Sequence, residues 1–132
     1  MEWPENVFSA TSTNPLDGRD AILLSGPEPA MRWRTFCEKV IELAEAIGIQ
    51  MVVTLGALLA DVPHTRPVAI TGLASERSLV DRLGFQHTSY EGPTGIVGVL
   101  GQACRQRGIS SLSLWGNVPH YIQSSPNPRV TV

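Results

Sequence analysis

The sequence is short of several things that define function classes. It has two cysteines in 132 residues, Cys37 and Cys104, and they form no Cys-x-x-Cys pair. The N-terminal "MEWPENVF" is acidic and lacks the basic-then-apolar build of a secretory leader. Two scattered thiols without a leader read as reduced, buried side chains of a cytoplasmic protein. Charge of one sign is also missing: 10 basic against 12 acidic residues leave a formal net charge of −2 and a pI near 5.9. No basic footprint for DNA or RNA results, and no nucleic-acid partner is expected. Long apolar runs are absent. The longest, "MVVTLGALLA" at 51–60, stops at Asp61 and is too short to cross a bilayer, so no membrane partner is expected.

Motifs for cofactor chemistry are equally scarce. "EGPTGIVGVLG" at 91–101 places Gly92, Gly95, Gly98 and Gly101 at every third residue. It matches neither G-x-G-x-x-G nor the G-K-[ST] ending of a phosphate loop, so these glycines read as close packing of a helix on a sheet. His64, His87 and His120 are far apart, with no paired-ligand spacing, and no metal or cofactor is expected. No serine occupies a G-x-S-x-G elbow. Asp61, Glu28 and Glu91 fall near strand ends as lone carboxylates, read as solvated or capping groups.

What is present is an alternation of strands and helices. "AILLS" at 21–25, "MVVTLG" at 51–56, "VAITG" at 68–72 and "SLSLWG" at 111–116 read as strands, and "VFSATST" as a short edge strand. A helix is predicted from Pro29 to Ile47, with Trp33, Phe36, Cys37, Val40, Ile41, Ala44 and Ile47 on one apolar face and Gly48 as its stop. A short helix is expected at 75–84 with Ser75 as N-cap, and another at 94–108 closing on Gly108; "FQHTSYEGP" between them reads as a loop. The link between the second and third strands is too short for a parallel crossover, so the third strand runs antiparallel to the second or lies away from it. The expectation is one α/β domain over 1–132 with a mixed sheet, weakly structured at 1–19 and 124–132.

One tripeptide occurs twice: Val-Pro-His in "ADVPHTRPV" at 60–68 and in "GNVPHYIQS" at 116–124. Lacking an N–H, Pro63 and Pro119 mark where their strands stop. If both strands run the same way, His64 and His120 emerge at one rim, where clefts of open α/β sheets form. In extended chain His64 and Arg66 share a side, a combination suited to a carboxylate or phosphate. The candidate site is therefore His64, Arg66, His120 and Tyr121. The competing reading makes these groups fasteners of the loop.

The segments "AILLSGPEPAMRWRTFCEKV", "VVTLGALLADVPHTRPVAITG", "YEGPTGIVGVL" and "SLWGNVPHYIQSSPNP", in this order over about residues 20–128, resemble the proteasome assembly chaperone family, in particular its actinobacterial branch. The resemblance implies a three-layer α/β/α fold like that of nucleoside phosphorylases. It further implies a non-catalytic role in binding protein subunits, including proteasome α-type subunits, and self-association into a homo-oligomer. Against the family pattern the chain looks shortened, without the opening strands or the C-terminal helical part, and "PRVTV" lacks the hydrophobic-Tyr-X tail of some relatives. A shortened sheet exposes an edge that tends to pair with another chain. The alternative is a small-molecule binder, or a hydrolase- or ligase-like enzyme, using the two Val-Pro-His loops.

Overall fold

The computed structural model describes residues 5–11, 20–87 and 95–122. The chain divides into two compact units, 1–32 and 33–132. In the first, β1 (Val7–Thr11) pairs antiparallel with β2 (Ala21–Ser25), Val7 opposite Ser25 and Thr11 opposite Ala21. Both strands lie where their apolar residues predict them. Gly26 allows the chain to close behind the pair, since a Cβ there would stand 2.5 Å from Asn6 Oδ1 and 2.6 Å from the Glu5 carbonyl. The "NPLDG" cluster and the tail 124–132 lie outside the described residues.

The second unit is a mixed α/β body. It contains α1 (Trp33–Ile47), β3 (Met51–Ala60), β4 (Ile70–Ala74), α2 (Arg77–Leu83), β5 (Gln86–His87), α3 (Ile96–Gln106) and β6 (Ser110–Pro119). The strand order is β3-β6-β4-β5. β6 runs parallel to β3 and antiparallel to β4, so β4 opposes β3 in direction without touching it, as its short connection requires. The segment 85–93, predicted as a loop, begins instead with a short strand: Gln86 and His87 pair with Thr71 and Gly72. The strands β3 and β6 also exceed the predicted lengths at both glycines, Gly56 and Gly116. At Gly56 the reason is visible: a Cβ would come within 2.7 Å of the Trp115 ring, so the glycine makes room for the indole and the ladder continues to Ala60.

The core lies between α1, α3 and one sheet face. Cys37, Ile41, Leu100 and Cys104 are its buried centre, with Phe36, Val40, Val52, Ile96, Val99, Ala103 and Ile109 packed around them. Complete burial of Ile41 contributes about 1.5–3 kcal/mol before entropy is counted. Helix α2 sits on the other face, with Val80 beside Gly72 and Leu114. α1 begins at Trp33 rather than Pro29, because Arg32 has a φ of 59° and cannot belong to a right-handed helix.

The helices α1, α2 and α3 stop in one way. Gly48, Gly84 and Gly108 have φ of 76°, 70° and 70°, where a Cβ is costly. The next residue's N–H returns to the fourth-last helical carbonyl or its equivalent: Ile49 to Ala44 at 2.8 Å, Phe85 to Val80 at 3.3 Å, Ile109 to Cys104 at 2.9 Å. Ser75 is not the N-cap of α2; that position is Glu76, without a side-chain cap bond. Ser75 instead extends the β4–β6 ladder: its N–H donates to the Ser111 carbonyl and its Oγ accepts from the Ser111 N–H, at 2.9 and 3.1 Å. The close-packing role expected for the glycines of α3 fails at Gly101, whose missing Cβ faces open space. Gly92 and Glu91 lie outside the described residues.

Candidate functional site

The two Val-Pro-His copies end co-directional, adjacent strands. Ala60 lies opposite Pro119 in the parallel register, and the His120 N–H donates to the Ala60 carbonyl at 3.2 Å. Each proline then opens a matching turn. The Pro63 carbonyl accepts from the Arg66 N–H and the Pro119 carbonyl from the Ile122 N–H, both at 3.2 Å. Each histidine is the second residue of its turn, which delivers both imidazoles to the same rim of the sheet.

Tyr121 links the two turns. Its hydroxyl accepts from the His64 N–H at 2.8 Å and lies 3.0 Å from His64 Nδ1. A phenol oxygen can accept twice and donate once, so the hydroxyl bonds Nδ1 as donor or acceptor according to the ring's tautomer. The phenol ring stands edge-on to His64, with centroids 6.0 Å apart, and to His120 at 5.6 Å. His64, His120 and Tyr121 are all exposed. This is a small aromatic cluster that holds loop 61–69 to the end of β6.

Arg66 does not share a side with His64 by strand alternation, because residues 63–66 form a turn rather than extended chain. Asp61 is exposed at the end of β3. The side chain of His87 lies outside the described residues. Among the described residues, no group of three or more His, Cys, Asp or Glu is arranged to hold a metal ion. Cys37 and Cys104 are free and buried in the core, away from this rim, and burial pushes both thiols above the ordinary value of 9.0. They are packing groups rather than nucleophiles.

Sequence reasoning missed the polar strip along β6. Thr54 Oγ1 donates to Ser113 Oγ at 2.8 Å, and Thr71 Oγ1 reaches the Trp115 carbonyl at 3.4 Å. Further along, the buried amide oxygen of Asn117 has no hydrogen-bond partner among the described residues. The alternating serines of "SSLSLWGN" are the only sequence signal for it.

The PAC2 family model matches residues 1–132. The chain belongs to the PAC2 family. A PAC2 protein from Streptomyces avermitilis is 45% identical, with a TM-score of 0.89 over 98% of this chain. The Mycobacterium tuberculosis proteasome-assembly chaperone homologue Rv2125 matches with the same identity, TM-score and coverage. The chain spans 55% of the length of each. The archaeal proteasome activator PbaB of Pyrococcus furiosus, at 17% identity and a TM-score of 0.71 over 92% of this chain and 56% of its own, shares the fold. No curated protein matches the chain. The likeness read from "GPEP", "VPHTRPV" and "VPHY" to the assembly chaperones and their actinobacterial branch is thus shown. No helix among the described residues is long and apolar enough to cross a membrane.

Proposed function

We propose that this PAC2 chain is a non-catalytic protein-binding module that acts in the cytoplasm as an assembly chaperone, with proteasome α-type subunits as clients. The observation that carries the reading is the 45% identity, across nearly the whole chain, to a mycobacterial proteasome-assembly chaperone homologue. The rim supports it, since the Tyr121 hydroxyl spends its bonds on His64 and leaves a braced surface rather than a set of free reactive groups. In this reading the body adopts the three-layer α/β/α arrangement of nucleoside phosphorylases, with α1 and α3 on one face and α2 on the other, and it self-associates. The direct test is gel filtration of the purified chain with purified proteasome α-type subunits. Co-elution is expected; separate elution at high micromolar concentrations of both refutes the client.

The gathering of His64, Tyr121 and His120 on one rim favours a second reading, a small-molecule or hydrolase- or ligase-like site completed by Arg66. Alanine at His64 and Arg66 separates the two. Loss of ligand binding at unchanged stability supports the site, whereas a lowered melting temperature alone supports the fastener.

A further inference from the structure

We draw no further inference here: the strongest candidate, the edge of the sheet beside the Val-Pro-His turns, toward which α1 and α3 direct N-termini with no acidic residue in either first turn, rests on helix N-termini alone, with no second observation that points to a ligand.

Discussion

Replacing Tyr121 by Phe tests whether the rim is a clasp. The substitution keeps the ring, and with it the edge contacts to both imidazoles, but deletes the hydroxyl. Two interactions go: the 2.8 Å bond from the His64 N–H and the 3.0 Å contact with His64 Nδ1. A net intramolecular hydrogen bond contributes about 0.5–1.5 kcal/mol, and these are exposed, so water replaces them in part. The low end applies to each, giving a loss of about 1 kcal/mol in the local opening of loop 61–69. Since 1.4 kcal/mol is a factor of ten, the His64 amide should exchange with deuterium about fivefold faster in Tyr121→Phe. Core amides such as that of Ile41 should be unaffected. Exchange followed residue by residue by NMR reads this directly. An unchanged His64 rate would sink the clasp and favour the ligand-binding reading of the rim.

Three other outcomes follow from the packing. Gly56→Ala places a methyl 2.7 Å from the Trp115 ring, and overpacking of about 1–3 kcal/mol outweighs the backbone entropy gain; a denaturation midpoint at or above wild type contradicts that contact. Gly101→Ala acts in the opposite direction, because its Cβ enters open space within α3; a gain of about 0.5–1 kcal/mol is expected by urea unfolding. The two core thiols give a pH effect. Their folded values lie above 9.0, so the unfolded chain ionises first, and the stability they contribute is complete below pH 9.0 and is lost as pH rises through the folded values. The denaturant midpoint should therefore hold up to about pH 9 and fall above it, and pairing Cys37→Ala with Cys104→Ala should flatten that fall.

Much of this was legible in the residues. The apolar period of α1 placed Cys37, Ile41 and Ala44 in the core, and Gly48 and Gly108 marked true helix ends. The doubled Val-Pro-His marked the rim, because proline's missing N–H is a local constraint that tertiary structure seldom overrides. The failures also have local causes. Arg32 adopts a left-handed backbone that nothing in its side chain announces, so the sequence pattern starts α1 too early, at Pro29. Ser75 has the chemistry of an N-cap, yet a neighbouring strand offered its hydroxyl a better donor in Ser111. Strand alternation relates His64 to Arg66 only in extended chain, and the turn at 63–66 abolishes it. The bond from Tyr121 to His64 joins residues far apart in sequence, and no spacing rule reports it.

The left-handed glycines have a consequence for how the chain tolerates change. Gly48 and Gly108 pass α1 and α3 into β3 and β6 within three residues, at the edge opposite the Val-Pro-His turns. A single residue inserted between Gly108 and Ser110 would invert the inside-outside order of β6, sending Leu112 and Val118 toward α3 and the serines toward α2. An insertion past Ala60 or Pro119, the last paired residues of the two strands, leaves that order intact, so the proline rim accepts a change of length that the glycine edge does not.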